Sequence, residues 1–192
     1  MTALAVARQV RELYADDLLE DEGVLQVSSG WLDAQGVLHS LRIGPQAPRS
    51  ATDGFALGLA RARADIIVTT GRILRDEPEL VHEIASDAQM NLLAWRREHL
   101  LRSSPPEVAL LTSGRALDWN HPVFSGASRV SIFTGEDQRN ALAGEAEERG
   151  GKLITDPEPT LEGLLAYLRT RDEVRTVTLE VGPSAVASLY AG

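Results

Sequence analysis

The 192-residue chain contains no cysteine, which excludes disulfides, thiolate nucleophiles and thiolate metal sites and is neutral on redox compartment. Its four histidines, His39, His82, His99 and His121, are spread with no HxH or HxxxH spacing, so an imidazole-built metal site has little support. No apolar run approaches the roughly 20 residues a membrane span requires. The N-terminal stretch, with Arg8, Arg11, Glu12, Asp16 and Asp17 close together, lacks a signal-peptide core, and a cytoplasmic protein is expected. There is no excess of positive charge either. The formal net charge of −9 argues against nucleic acid as a partner, because phosphate binding needs clustered Lys and Arg to displace counterions. Neither the GxGxxG dinucleotide fingerprint nor a P-loop occurs, and there is no internal repeat or low-complexity segment.

What is present is the composition of one globular domain, 43% hydrophobic and 24% charged, able to bury a sizeable core. Ala3 to Leu19 reads as an amphipathic helix, with Val6, Val10, Leu13 and Leu18 at near-helical spacing, followed by an acidic linker to Gly23. Val24–Ser29 reads as a strand, with a second strand, Gly36–His39, paired to it through the turn at Asp33–Gly36, as a hairpin or a strand with a bulged loop. Ser50 would cap a helix running to about Ala64, with Asp53 at its third position. From there the pattern alternates. Strands are expected at Ile66–Val68, Val108–Thr112, Val130–Phe133, Lys152–Thr155 and Val174–Leu179. Helices are expected at Gln138–Arg149, Leu161–Leu168 and Ser184–Tyr190, with a long helix or helix pair over Glu79–Arg102. Short apolar strands alternating with helices are the βαβ signature of a three-layer α/β fold with a mostly parallel sheet.

In such sheets ligands bind beyond the carboxyl ends of the strands. Four strand ends carry a hydroxyl side chain near a glycine: Thr69-Thr70-Gly71-Arg72, Thr112-Ser113-Gly114-Arg115, Thr134-Gly135 and Glu180-Val181-Gly182-Pro183-Ser184. Glycine lets the backbone turn sharply and present N–H groups to an anion, and Arg72 and Arg115 add planar cationic donors suited to phosphate oxygens. Taken singly, each turn is better explained as a Ser/Thr helix cap. An acid such as Asp76, beside Arg72 and Arg75, is explained as a surface ion pair. Together they suggest an anion or nucleotide site.

The stretch Ala62–Leu80, with Thr69-Thr70-Gly71-Arg72 and then Asp76-Glu77-Pro78-Glu79-Leu80, resembles the reductase domain of the bacterial riboflavin-biosynthesis deaminase–reductase, a dihydrofolate reductase-like fold. The strand ending at Thr112-Ser113 and the loop Leu179-Glu180-Val181-Gly182-Pro183-Ser184 resemble later motifs of that family in the same order. The resemblance covers roughly Val24 to Gly192, leaving residues 1–22 as an N-terminal helical extension and 23–192 as the reductase domain, without the family's closing C-terminal strands. It implies an NADPH-dependent reduction of a ribosylamino-pyrimidine phosphate or a related heterocycle, and a homodimer. Residue by residue it implies cofactor contacts from Thr70, Gly71, Arg72, Asp76, Ser113, Gly182, Pro183 and Ser184. It further implies catalytic roles for Asp33 and Glu180, and substrate contacts from Leu80 and Arg49. The alternative is a catalytically silent nucleotide-binding or interaction module that kept the fold and lost the substrate site.

Overall fold

The computed structural model describes residues 3–13, 23–26, 30–35, 38–40, 51–84, 86–115 and 117–190. The elements in chain order are α1 (Ala3–Leu13), β1 (Gly23–Gln26), β2 (Gly30–Leu32), β3 (Leu38–Ser40), α2 (Ala51–Arg63), β4 (Ile66–Thr70), α3 (Gly71–Asp76), α4 (Ser86–His99), β5 (Glu107–Leu111), β6 (Val130–Gly135), α5 (Arg139–Glu148), β7 (Lys152–Asp156), α6 (Leu161–Arg169), β8 (Thr176–Leu179) and α7 (Pro183–Val186). Six strands form one sheet in the order β1-β8-β4-β5-β6-β7, and every neighbouring pair in it is parallel.

Parallel strands covered on both faces should be apolar at successive positions, and the core shows why. Val108, Leu110, Val130 and Ile132 pack on one face with Leu74 of α3 and Leu142 and Ala146 of α5. The alternate residues Ile66, Val68, Ala109, Phe133, Val177 and Leu179 pack on the other with Leu161, Leu164, Leu165 and Leu168 of α6. This is the three-layer α/β architecture expected from the alternation, with period-2 side chains feeding two separate cores. A third cluster joins Val6, Ala7 and Val10 of α1 to Phe55, Leu59 and Ala62 of α2 and Leu92 and Trp95 of α4. The N-terminal helix thus buries its apolar stripe against the helices of the domain.

Two expectations are corrected. Val24–Ser29 is not one arm of a hairpin: Gly23–Gln26 pairs in parallel with Thr176–Leu179. The hairpin is instead Gly30–Leu32 against Leu38–Ser40 around Asp33, in a separate two-stranded sheet. Local turn signals identified the hairpin, but the partner of β1 lies far along the chain, where local pattern has no reach. The long helix over Glu79–Arg102 is likewise shorter, since only Ser86–His99 is helical. Residues up to Ile84 are instead held as an irregular segment, by hydrogen bonds described below. The Ser50 cap falls outside the described residues.

The carboxyl end of α2 is closed by arginines from beyond β4. Arg96 donates from Nη1 to the carbonyls of Ala62 (2.8 Å) and Ala64 (2.6 Å) and from Nε to Ser104 (2.9 Å), and Arg102 donates to the carbonyl of Arg63. Cations satisfying orphan carbonyls at a helix C-terminus are favourable. Burial, together with Arg102 alongside, lowers the Arg96 pKa to about 10.

Candidate functional site

The sheet register brings three of the four strand-end loops to one height. Val68 is level with Leu179 and Thr70 with Leu111, and Glu180 N–H donates to the Val68 carbonyl at 2.8 Å. The loops that start at Glu180, Thr70 and Thr112 therefore leave neighbouring strands β8, β4 and β5 together. The β4 and β5 loops are also interlocked. A Cβ on Gly71 would lie 2.7 Å from Thr112 Oγ1, so the β4 and β5 loops touch at a place only glycine fits. Gly114 adopts φ +77° and faces Gln138 beyond β6. Gly182 has open space where a Cβ would be.

The individual residues have divided roles. Thr70 caps α3, its Oγ1 accepting from Ile73 N–H at 3.3 Å, the cap geometry expected of such turns. Arg72 and Asp76 are exposed and paired with each other at 3.4 Å, one turn apart, a pairing of little energetic weight by itself. Ser113, Arg115, Pro183 and Ser184 sit at the strand-end surface, and Leu80 is half-buried. Asp33 lies in the hairpin turn, where its Oδ1 accepts from Gln35 N–H at 2.9 Å. Arg49 falls outside the described residues.

Glu180 is neither in solvent nor unattended. Arg61 of α2 grips it with both arms of a fork, Nε to Oε1 at 2.6 Å and Nη2 to Oε2 at 2.7 Å, and the two side chains are 6% and 12% exposed. The remaining arm, Nη1, donates to the carbonyls of Val81 (3.0 Å) and Glu83 (2.5 Å). One guanidinium thus ties the end of β8 to the segment that follows α3. A planar fork is the cation suited to this task.

Sequence reading missed Arg61 and three further groups gathered around it. His82, between the two carbonyls that Arg61 holds, is 2% exposed, and neither ring nitrogen has a hydrogen-bond partner among the described residues. Burial lowers its pKa to about 4, against the opposing pull of Glu180 and with help from Arg61 and His121. His121 is also buried. Its Nδ1 faces Val123 N–H at 3.2 Å and its Nε2 the Glu77 carbonyl at 3.1 Å, which fixes the neutral tautomer protonated at Nε2. Glu77, half-buried at the end of α3, has its carboxyl pKa raised by burial and by the negative charges of Asp76 and Glu180, with Arg61 opposing. The available signal for Arg61 was a charged residue set between Ala60 and Ala62 in the last turn of a helix, a signal it shares with Arg63.

The opposite pole of the sheet holds a groove of about 460 Å³ lined by Glu107, Arg129, Ser131, Gly150, Lys152, Arg171 and Glu173. Its charges largely satisfy one another. Arg171 forks onto Glu107 at 3.0 Å through both arms, and Ser131 donates to the same carboxylate at 2.5 Å. Burial alone would raise the Glu107 pKa, but the hydrogen bonds from Arg171 and Ser131 outweigh it and lower it. Among the described residues no group of three His, Asp or Glu could hold a metal ion, and no helix is long and apolar enough to cross a membrane.

The structure is an open three-layer α/β fold, with its candidate site at the carboxyl ends of β8, β4 and β5. Solved structures share this fold. A pyrimidine reductase-like protein from Corynebacterium diphtheriae is similar with a TM-score of 0.57 and 23% identity, over 86% of this chain and 68% of that one. RibD of Acinetobacter baumannii is similar in two forms, with TM-scores of 0.55 and 0.53 and 15% identity, over 76% of this chain. The match spans only 37% of the RibD chain. No protein-family model matches the sequence, and neither does any curated protein.

Proposed function

We propose that the chain is an NADPH-dependent reductase of the riboflavin-pathway type, acting by hydride transfer on a ribosylamino-pyrimidine phosphate or a related heterocycle. The observation that carries the reading is the meeting of three glycine-bearing polar loops on adjacent strands β8, β4 and β5, in a fold shared with a pyrimidine reductase-like structure.

The residues present suit a polyanionic cofactor there. Among the described residues Arg115 has no ion pair and Arg72 is engaged only by the exposed Asp76. The open side of Gly182 leaves its backbone approachable. By contrast the neighbouring ends of β6 and β7 carry Glu136, Asp137, Asp156 and Glu158, which repel phosphate and direct it toward β4 and β5. On this reading Gly71, Arg72 and Ser113 hold the cofactor from one side and Gly182, Pro183 and Ser184 from the other. Thr70 and Asp76 support the β4 loop, and Leu80 walls the substrate. When bound, the reduced nicotinamide supplies the hydride. Glu180, fixed by Arg61, presents a positioned negative charge at the floor of the site.

The test is a thermal shift with NADPH, NADP and NADH, because a ligand that binds only the folded state must stabilise it. Loss of absorbance at 340 nm with the deaminated ribosylamino-pyrimidine phosphate then tests turnover. No shift at millimolar NADPH refutes the reading. A second reading, a silent nucleotide-binding module, is favoured by one observation: Arg61 already occupies both oxygens of Glu180. NADPH binding without any turnover would select it. The reductase reading also expects a cytoplasmic homodimer, and sedimentation equilibrium tests the dimer.

A further inference from the structure

Reduction of a polar C=N or C=O bond needs a proton as well as a hydride, and few ionisable groups around β8, β4 and β5 are placed to give one. Glu180 is an acceptor on both oxygens. Asp76 is exposed and paired with Arg72. His121 uses both ring nitrogens on backbone groups. His82 has no solvent-reachable ring nitrogen. Glu79 is exposed, and Glu83 turns an oxygen toward Ala127 N–H at 3.5 Å.

Glu77 differs from all of these. Its backbone is pinned three times: its N–H donates to Ile73 O at 2.8 Å, and its carbonyl accepts from Leu80 N–H at 3.0 Å and faces His121 Nε2 at 3.1 Å. Its carboxyl, half-buried, has no hydrogen bond or ion pair among the described residues. A half-buried carboxyl left without a partner, carried on a backbone held in place and with Glu180 and Arg61 as charged neighbours, is an arrangement that suits a general acid.

We propose that Glu77 is the proton donor of the reductase reaction, an inference that rests on the reductase reading above. As hydride adds to the electrophilic carbon of the C=N or C=O bond, the π electrons move to nitrogen or oxygen, and the Glu77 carboxyl gives that atom its proton. The substrate gains two electrons, the cofactor leaves oxidised by two, and the Glu77 carboxylate is reprotonated from solvent through its exposed side. The groups that face it are Asp76 on its own helix, Glu180 after β8, Arg61 on α2 and His121 at its carbonyl. Burial, with the two carboxylates, favours the protonated form against the pull of Arg61.

The experiment uses the full chain and Glu77→Gln, with Glu77→Asp as the conservative variant. Carboxyl carbon NMR should show Glu77 titrating above the ordinary 4.5, and higher again when the anionic NADP is added. Glu77→Gln should keep the NADPH thermal shift, lower kcat by about 10²–10⁴-fold, and lose the fall in kcat that the wild type shows as pH rises through the Glu77 titration. Glu77→Asp should recover part of the rate. A Glu77 titration at or below 4.5 that ignores NADP, or a Glu77→Gln enzyme with unchanged kcat and pH profile, overturns this inference alone. Absence of any NADPH shift in the wild type overturns the reductase reading, and this inference with it.

Discussion

Replacing His82 should change how the protein responds to acid. The imidazole is 2% exposed with both nitrogens unpartnered, and its pKa falls from 6.5 to about 4. The unfolded chain therefore binds a proton at pH values where the folded chain does not. Stability must rise with pH across that window, and the penalty, negligible above 6.5, grows as pH falls and is complete below about 4. Between pH 7 and pH 5 the difference in proton binding amounts to about 2 kcal/mol. His82→Phe keeps a flat ring of similar size and removes both unpaired nitrogens, a change that is near neutral or stabilising when no partner is stranded. Urea unfolding at pH 5 and pH 7, analysed with a common m-value, should show the wild type losing about 2 kcal/mol more than His82→Phe over that interval. Equal losses in the two proteins would show that His82 is solvated or partnered in solution, and the argument from its burial would fail.

Three other expectations follow from single contacts. Arg61→Met leaves the Glu180 carboxylate and two carbonyls without their donor and should cost about 3–5 kcal/mol, with Arg61→Met/Glu180→Leu recovering part of it; a cost under about 1 kcal/mol in urea titration would mean the fork is not formed. Gly71→Ala sets a methyl 2.7 Å from Thr112 Oγ1 and should cost about 1–3 kcal/mol. Combined with Thr112→Ala the loss should be smaller than the sum of the two, and strict additivity would deny the contact. Arg115→Ala and Arg72→Ala should each weaken NADPH by about tenfold, the worth of one charge-assisted phosphate contact. Arg169→Ala, at the far end of α6 beside the start of β8, should not, and equal effects at the three positions would place the cofactor elsewhere.

The parts of this molecule legible in the sequence are those governed by near neighbours along the chain. Ile66–Thr70 is short, β-branched and apolar, and lies with both faces covered. Leu161–Arg169 places Leu161, Leu164, Leu165 and Leu168 on one buried stripe, the spacing that makes a helix amphipathic. Thr70 and Thr160 accept from the N–H groups of Ile73 and Gly163, as hydroxyls before a helix should. The glycine-bearing loops were visible as candidates for the same reason, since strand ends and turn residues are local signals.

What the chain order concealed is which polar groups meet. Glu180 was a candidate by its place after a strand, but nothing along the chain joins it to Arg61 on a helix. Their pairing depends on β8 inserting between β1 and β4, which also denied β1 its expected hairpin partner. The burial of His82 and the anchoring of Glu77 through His121 follow from the same long-range closure.

By itself, then, the sequence determined the type and order of the elements and the turns that end them, because helix and strand periodicity and capping act over a few residues. Only the tertiary structure decided the strand order, the Arg61–Glu180 lock and the isolation of the Glu77 carboxyl. Those depend on desolvation and on charges brought together from distant positions, and neither exists until the sheet has closed.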